Sequence, residues 1–354
     1  MDNITRIRQS ISEADFDAML FTSPVNRFYA TGFESSAGAL IITRDDAWFF
    51  TDSRYIEAAE ATVKNAHVHI VTKDEPYAKL IEALLEKHSV KTVGFEDGAI
   101  TYSSYLEWEE KLSCKLTPAQ SLINDLRAVK SPDELDNMKK AQQIAEKSFD
   151  ELLPMISGNM TEKQLAAELL YLLLKNGADD KSFDPIIVSG EKSSMPHGVP
   201  GDKRIGSGFL TIDFGAKLDG WCSDTTRTLC VGNPTDEMAS IYDIVLRAQE
   251  AGISAVRAGV RGCDVDAAAR NVIAQAGYGS FFGHGFGHGL GLEVHELPTA
   301  SQIFEAPLPA GAVISAEPGI YLPGRFGVRI EDVVYITEDG CENITGLSKD
   351  LIVI

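Results

Sequence analysis

The chain has 354 residues, 44% of them hydrophobic, which is typical of a globular protein with room for two domains. Its 52 acidic and 32 basic residues give a formal net charge of -20, which disfavours binding to nucleic acid or to an anionic membrane surface. Since the sequence has no signal peptide, no apolar run of membrane-spanning length and no CxxC pair among its five cysteines, we expect a cytoplasmic protein.

The first 125 residues alternate short apolar runs with amphipathic stretches. The apolar runs predict five strands, with the sequences DAMLFTS, ALIIT, AWFFTD, HVHIVT and KTVGFE. Helical patterns cover residues 54–63 and 77–88, and the stretch 26–40, rich in small residues, predicts a loop. Residues 1–125 are therefore predicted to form a smaller α/β domain with a mixed sheet.

Residues 126–131 are predicted to be a linker. Ser131 precedes Pro132 and Glu134, which combines a capping box with proline at the first helical position and predicts a helix to about Ile156. Thr161 and Gln164 form a second capping box, which predicts a helix to about Lys175. A second domain is predicted to cover residues 132–354.

The order of elements in this second domain occurs twice. Helices predicted at 236–257 and 263–276 repeat the first helix pair, and each pair is followed by extended segments. One strand in each half then ends in an acid, Asp213 in the first half and Glu317 in the second. This pattern predicts an α+β domain built by internal duplication, with a site where the two halves meet.

Carboxylates cluster at these strand ends. The Asp219-Gly220 pair predicts a two-residue hairpin turn, which places Asp213 opposite Thr226 and one diagonal step from Asp224. In the second half, Glu331 is predicted on the strand that returns towards Glu317. Because crowded carboxylates repel each other, a positive group is expected between them.

Residues 283–298, GHGFGHGLGLEVHELP, carry three of the seven histidines. Glycine at every second position argues against a helix, since each interior glycine costs about 1 kcal/mol relative to alanine. An extended segment would place His284 and His288 on one face. Four carboxylates with the one imidazole of His288 suit Mn²⁺, Co²⁺, Fe²⁺ or Zn²⁺, and their number favours two ions. Any one of these acids alone would more often be surface charge.

On these residues the sequence resembles the metallopeptidase family with the pita-bread fold, which includes Xaa-Pro aminopeptidases, prolidases and methionine aminopeptidases. The resemblance covers the whole chain, including a creatinase-like N-terminal domain that methionine aminopeptidases lack. It implies a pseudo-twofold catalytic domain and a homodimer, in which the N-terminal domain narrows access to an active site. Residues 31–38, Asp52 and Arg54 are where we expect that role.

The resemblance also implies the roles of the site residues. Two divalent ions per subunit are expected, Mn²⁺ first and Co²⁺, Zn²⁺ or Fe²⁺ as alternatives. Their ligands would be Asp213, Asp224, His288, Glu317 and Glu331, with Asp224 and Glu331 as bridges. The expected catalytic residues are His197, His284, His295, Glu317 and Arg329, with Glu317 as the proton shuttle and Thr226 close to the metals.

The implied reaction is hydrolysis of the bond between an N-terminal residue and a following proline, and the preference for proline comes from the resemblance alone. Prolidases restricted to dipeptides generally carry an arginine after the HExP motif, whereas residues 297–316 contain neither Arg nor Lys, and Arg325 lies at a different position. We therefore expect an Xaa-Pro aminopeptidase, with a prolidase as the alternative. The retained ligands disfavour both a non-catalytic binding protein and a metal-free C–N hydrolase like creatinase.

Overall fold

The computed structural model describes residues 2–354, whose helices and strands form two units, residues 2–127 and Ala128–Ile354. Among the described helices, none combines the length and the apolar character that a membrane crossing requires. The five cysteines are all unpaired.

The first unit is built on a six-stranded sheet with the order β4-β3-β2-β1-β5-β6. Its strands are β1 (Ala18–Phe21), β2 (Ala39–Thr43), β3 (Ala47–Thr51), β4 (His67–Ile70), β5 (Thr92–Phe95) and β6 (Lys115–Pro118). Its helices are α1 (Asn3–Glu13), α2 (Pro24–Thr31), α3 (Ile56–Thr62), α4 (Tyr77–Lys87), α5 (Tyr102–Lys111) and α6 (Gln120–Ala128). Strand β1 pairs antiparallel with β2 and parallel with β5, which confirms the predicted mixed sheet.

The prediction of a loop at 26–40 is wrong for its first residues, because residues 26–31 lie in α2. The hydroxyl of Ser23 accepts a hydrogen bond from the backbone of Asn26, and Pro24 occupies the first helical turn. Gly32 ends the helix with a left-handed φ of 68°. These local capping signals outweigh the small-residue composition of the stretch.

The second unit contains four longer helices and thirteen strands among its described residues. The helices are α7 (Pro132–Leu152), α8 (Glu162–Lys175), α9 (Asp236–Ala255) and α10 (Gly262–Gln275). The strands are β7 (Asp180–Lys181), β8 (Ile186–Ser189), β9 (Gly208–Phe214), β10 (Ala216–Leu218), β11 (Trp221–Cys222), β12 (Thr225–Val231), β13 (Gly287–Gly289), β14 (Glu296–Ala300), β15 (Val313–Ala316), β16 (Gly319–Leu322), β17 (Phe326–Arg329), β18 (Asp332–Ile336) and β19 (Cys341–Asn343).

Each half of the second unit packs one helix pair against its own sheet. In the first half, apolar side chains of α7 and α8 share a core with β9 and β12, as the burial of Phe149 and Ile212 illustrates. In the second half, α9 and α10 share a core with β15 and β18, where Val245 and Ile314 are fully buried. This arrangement agrees with the predicted duplication.

The two helices of the first half begin at the predicted capping boxes. The backbone N–H of Ser131 donates to the carboxylate of Glu134 at 2.8 Å, and the N–H of Glu134 donates to the Ser131 hydroxyl at 3.4 Å. Thr161 and Gln164 exchange the same pair of bonds at 2.9 and 3.2 Å. Each cap contributes about 1 kcal/mol to helix stability. Helix α7 ends at Leu152, four residues before the predicted end, and a short 3₁₀ turn follows.

Candidate metal centre

The hairpin that carries the two aspartates forms as predicted. Asp219 and Gly220 both have left-handed backbones, with φ of 48° and 81°, and make the two-residue turn between β10 and β11. The register continues into β9 and β12, where Asp213 pairs with Thr226. Asp224 lies in the short break just before β12. The turn chemistry therefore brings the two aspartates to one end of the sheet.

The second half presents its acids in the same way. Glu317 follows directly after β15. Glu331 lies in the break between β17 and β18, so its predicted position inside the returning strand is wrong by one residue. The physical reason is that its backbone N–H donates across to the carbonyl of Thr226 in the first half, at 3.1 Å. This bond joins the two halves directly at the site.

The glycine-rich segment is extended, but its strand β13 covers only Gly287–Gly289. His288 lies in this strand, whereas His284 precedes it. A Cβ placed on Gly287 would lie 1.9 Å from the carbonyl oxygen of Ser315, so only glycine permits this approach to β15. The absence of side chains is what lets β13 lie against β15.

Every predicted site residue contributes to one cavity of about 850 Å³ in the second unit. The nine residues are His197, Asp213, Asp224, His284, His288, His295, Glu317, Arg329 and Glu331. They come from both halves of the duplication, and the volume lies within the usual range of about 300–1,000 Å³ for small-molecule sites.

Within this cavity, Asp224, His288 and Glu331 form the tightest cluster, and their potential ligand atoms all lie within 4.8 Å of one another. The Nδ1 atom of His288 lies 3.1 Å from the carbonyl oxygen of Gly289, so Nδ1 carries the proton and Nε2 carries the lone pair. That lone pair faces Asp224 Oδ2 at 3.6 Å and Glu317 Oε1 at 3.4 Å. Three acceptors around one space favour a cation at their centre.

The carboxylates have unused ligand atoms. Among the described residues, the buried oxygens Asp213 Oδ1, Asp224 Oδ1 and Glu331 Oε1 have no hydrogen-bond partner. Burial raises the pKa of Asp224 and that of Glu331 well above their ordinary values, and the neighbouring carboxylates raise them further. Buried polar atoms normally have a partner. These unpartnered oxygens are therefore suited to act as ligands of divalent metal ions.

Arg329 orients the ligands from behind. Its Nη2 donates to Asp213 Oδ2 at 2.6 Å and its Nε donates to the Thr226 hydroxyl at 3.0 Å. That hydroxyl donates in turn to Glu331 Oε2 at 2.6 Å. Burial works to lower the pKa of Arg329, but Tyr321 and the surrounding carboxylates raise it well above its ordinary value. The guanidinium therefore stays charged and holds one ligand from each half.

Tyr321 is a site residue that the sequence reasoning missed. The Nδ1 of His284 lies 2.9 Å from the carbonyl oxygen of Gly285, so the ring donates there and its Nε2 accepts from the Tyr321 hydroxyl at 2.9 Å. The same hydroxyl accepts from Arg329 Nη1 at 3.0 Å. Burial raises the pKa of Tyr321 to about 12, so the hydroxyl keeps its proton. Its one sequence signal is a polar group in the apolar run GIYL.

The remaining histidines lie towards the open side of the cavity. The ring centre of His295 lies 4.2 Å from that of His288. Burial lowers the pKa of His295 and that of His288, so both imidazoles are neutral at neutral pH. His197 is exposed to the cavity from the loop that follows β8. The neutral imidazole of His295 offers both a hydrogen-bond donor and an acceptor to a ligand.

Comparison with known proteins adds an independent observation. A model of metallopeptidase family M24 matches residues 136–338, and a model of the creatinase/prolidase N-terminal domain matches residues 3–129. The Xaa-Pro dipeptidase of Pyrococcus furiosus is 37% identical over 99% of both chains. The structure of an Xaa-Pro dipeptidase from Bacillus anthracis superposes with a TM-score of 0.95 at 38% identity, over 99% of both chains.

A structure described as an X-Pro aminopeptidase, from Thermotoga maritima, superposes with a TM-score of 0.92 at 35% identity, over 98% of this chain and all of its own. The family matches cover both units, and these relatives share the whole length of the chain. With a pita-bread catalytic unit and a pocket of metal-ligating side chains, the chain belongs to metallopeptidase family M24 and is a metal-dependent peptidase with a creatinase-like N-terminal domain.

Proposed function

We propose that this protein hydrolyses the peptide bond before proline in Xaa-Pro dipeptides, with two divalent ions held by Asp213, Asp224, His288, Glu317 and Glu331. The observation that carries the proposal is the group of three unpartnered buried oxygens, which together with the His288 Nε2 lone pair leave one space for cations. The relatives named above support the substrate class. Two of those three are described as Xaa-Pro dipeptidases, so the dipeptidase alternative now ranks ahead of the aminopeptidase.

The ligand chemistry supports borderline divalent ions. Four carboxylates and one imidazole suit Mn²⁺, with Co²⁺, Zn²⁺ and Fe²⁺ as alternatives. When bound, such ions lower the pKa of a coordinated water and polarise the substrate carbonyl. Asp224, His288 and Glu331 would lie nearest to a bound ion, because their potential ligand atoms are all within 4.8 Å of one another.

Glu317 is proposed to move the proton. A water attacks the scissile carbonyl carbon, and Glu317 takes one proton from that water. The C–N bond then breaks, and Glu317 gives the proton to the leaving proline nitrogen, which releases the amino acid and proline. Burial raises the pKa of Glu317, which suits a carboxylate that has to be protonated for part of the cycle.

The other residues bind and orient. His197 and His295 line the open side of the cavity and are proposed to donate hydrogen bonds to the carbonyl oxygen as charge develops on it. Arg329 holds Asp213 directly, and the Tyr321 hydroxyl joins Arg329 to His284. Misplacing any of these donors is expected to slow the reaction more than it weakens substrate binding.

The experiment is a peptide panel assayed on apoprotein with Mn²⁺, Co²⁺ or Zn²⁺ added back. Ala-Pro should be cleaved, Ala-Ala should be cleaved far more slowly, and chelation should abolish activity reversibly. Asp224→Asn should lower kcat by more than about 10²-fold, since it removes the charge of a proposed metal ligand and loss of a group that merely supports a ligand costs about 10–100-fold. The control is Asp219→Asn, because Asp219 is an exposed turn residue five positions earlier whose left-handed backbone asparagine tolerates. Full activity after thorough chelation would contradict the metal mechanism.

A second candidate, the aminopeptidase acting on longer peptides, is favoured by one observation. Among the described residues that line the cavity, Arg329 is the one Lys or Arg, and its guanidinium is bound to Asp213 and Thr226. Arg325 pairs instead with Glu237. A dipeptide carboxylate would therefore find no uncommitted guanidinium. The same panel decides this question, because faster cleavage of Ala-Pro-Ala than of Ala-Pro identifies the aminopeptidase.

A homodimer and a cytoplasmic location remain predictions. The unpaired state of the five cysteines is compatible with a reducing compartment. The N-terminal residues 31–38 and the ion pair of Asp52 with Arg54, at 2.7 Å, are still the places where we expect a partner subunit to meet an active site. Light scattering at working concentration gives the oligomeric state. The predicted domain bounds, 1–125 and 132–354, also remain predictions.

A further inference from the structure

One wall of the cavity is the segment 190–201, which we call the His197 loop. It begins with a 3₁₀ turn, Gly190–Ser194, and continues as MPHGVPG without further regular structure. Pro196, His197, Gly198, Val199 and Pro200 all line the cavity. Met195 and Val199 are 58% and 76% exposed, so the loop has little apolar burial of its own to fix its shape.

The position of the His197 ring depends on this loop. No described residue forms a hydrogen bond with its imidazole, and the residue is exposed. The loop backbone is therefore what determines where the ring meets a substrate. A feature that fixes the backbone of the loop acts on the site through His197.

Glu162, the first residue of α8, provides such a feature. Its side chain is fully buried, and its carboxylate accepts from both ends of the loop. On the entering side, the backbone and hydroxyl of Ser189 donate to Oε1 at 2.8 and 3.0 Å. On the leaving side, the backbone of Gly201 donates to Oε2 at 2.9 Å. One carboxylate thus ties the two ends of the loop together.

Lys192 completes the contact from inside the loop. Its ammonium donates to Glu162 Oε2 at 2.8 Å and also to the carbonyl of Val199, two residues after His197. A Cβ on Gly201 would lie 3.1 Å from the Lys192 ammonium, so the absence of a side chain there makes room for the pair. Burial works to raise the pKa of Glu162, but the bonds from Lys192, Gly201 and Ser189 lower it, so the carboxylate is ionised.

The middle of the loop has its own connection to the metal centre. The carbonyl of Pro196 accepts from Arg329 Nη1 at 3.4 Å, and the hydroxyl of Ser193 accepts from the backbone of Gly327 at 2.9 Å. The loop is thus bound to the ligand-holding arginine at its centre and to Glu162 at its ends. Releasing the Glu162 contacts leaves these central bonds and the bond from the backbone N–H of Lys163 to the carbonyl of Gly201, at 3.1 Å, to hold the loop.

We propose that Glu162 and Lys192 are positioning residues, which hold the His197 loop in the conformation that presents His197 to the substrate. This inference rests on the proposed function for its kinetic consequence. Its structural consequence, a loop that becomes mobile when the pair is broken, does not depend on which peptide is cleaved.

The test is a double-mutant cycle on the metal-loaded enzyme. Lys192→Met should lower kcat/KM for Ala-Pro by about tenfold, because small displacements of an oriented group cost up to about 10²-fold. In a His197→Ala background the same change should cost less than about twofold, since residues that act through one another are not additive. Equal losses in the two backgrounds would overturn the proposal.

The matched control lies one residue along α8. Lys163 pairs with Asp202 at 3.0 Å, but both side chains are well exposed, at 57% and 85%. Lys163→Met should leave kcat/KM within about twofold, since exposed ion pairs contribute only about 0–1 kcal/mol. Glu162→Gln is a second variant that keeps the shape of the side chain and should reproduce the effect of Lys192→Met.

Amide hydrogen exchange of residues 190–201 provides a readout independent of activity. Exchange should accelerate in Lys192→Met and Glu162→Gln and stay at the wild-type rate in Lys163→Met. If the wild type cleaves no Xaa-Pro peptide, the proposed function fails, and the exchange rates alone decide the inference. Unchanged exchange in both pair variants would overturn it.

Discussion

At the scale of single residues, the site depends on side chains that hold the ligands in place. The Tyr321 hydroxyl donates to His284 Nε2 and accepts from Arg329 Nη1, so one group fixes the orientation of two others. Arg329 and Thr226 then extend the same network to Asp213 and Glu331. Metal ligands held in this way need little rearrangement when an ion binds.

Removing the Tyr321 hydroxyl tests this network. Tyr321→Phe should lower the free energy of unfolding by about 1 kcal/mol, because the partly buried His284 Nε2 loses its hydrogen-bond donor. It should also lower kcat/KM by about tenfold through the loosened Arg329. The matched control is Tyr335→Phe on β18, whose hydroxyl has no hydrogen bond to any described residue. Urea unfolding and steady-state kinetics measure both effects, and identical values for the two variants would argue against the network.

At the scale of elements, β13 is a short strand in the sheet of the second half. It pairs with β14 on one side and with β15 on the other, and it carries His288 towards Asp224 and Glu317. Because a Cβ on Gly289 would lie 2.6 Å from the carbonyl oxygen of Glu296, glycine is required on the β14 side as well. The alternating glycines thus allow the strands to pack closely, while the histidines between them line the cavity.

Adding a single methyl group to β13 should separate it from β15. Gly287→Ala should destabilise the protein by about 1–3 kcal/mol, since the new Cβ meets backbone atoms that cannot move aside. It should also weaken metal binding, because His288 is the next residue. Gly283→Ala is the control, as nothing lies within 4 Å of its Cβ. Thermal unfolding and metal titration of both variants give the comparison, and equal effects would refute the role of Gly287 in packing β13 against β15.

At the scale of the whole molecule, charge is expected to influence which dipeptides enter. The chain carries a formal net charge of -20. Five acidic residues line the cavity, Asp184, Asp213, Asp224, Glu317 and Glu331. Two bound divalent ions would offset the charges of the last four, so the repulsion comes from Asp184 and from the remaining net charge of the chain. An anionic substrate should therefore be repelled over distances up to the Debye length, about 10 Å at 0.1 M salt.

The pair Gln-Pro and Glu-Pro isolates this effect, because the two dipeptides are nearly identical in shape. At low salt we expect kcat/KM to be about tenfold higher for Gln-Pro, within the range that electrostatic steering produces. Raising the ionic strength should narrow the ratio, because salt screens the repulsion. If the ratio of the two kcat/KM values does not change with salt, the prediction is wrong, and direct contacts with the substrate side chain cause the preference.

Much of this architecture was predictable because its signals are local. The capping boxes at Ser131 and Thr161, the turn at Asp219-Gly220 and the register that follows from it are each encoded within a few residues. The same holds for the acids at the ends of β9 and β15. The edge strand β6 escaped prediction because KLTP is short and only partly apolar.

The sequence alone thus determined the repeated order of helix pair and strands in the second unit, the family and nine of the residues that line the cavity, since periodicity, caps and motif spacing act between near neighbours. Only the tertiary structure decided which other side chains hold these site residues in place. Tyr321 meets His284 across 37 positions, Thr226 meets Glu331 across 105, and Glu162 meets Ser189 across 27. Such contacts leave no periodic trace in the chain, because they depend on how the two halves pack and not on the spacing within either half.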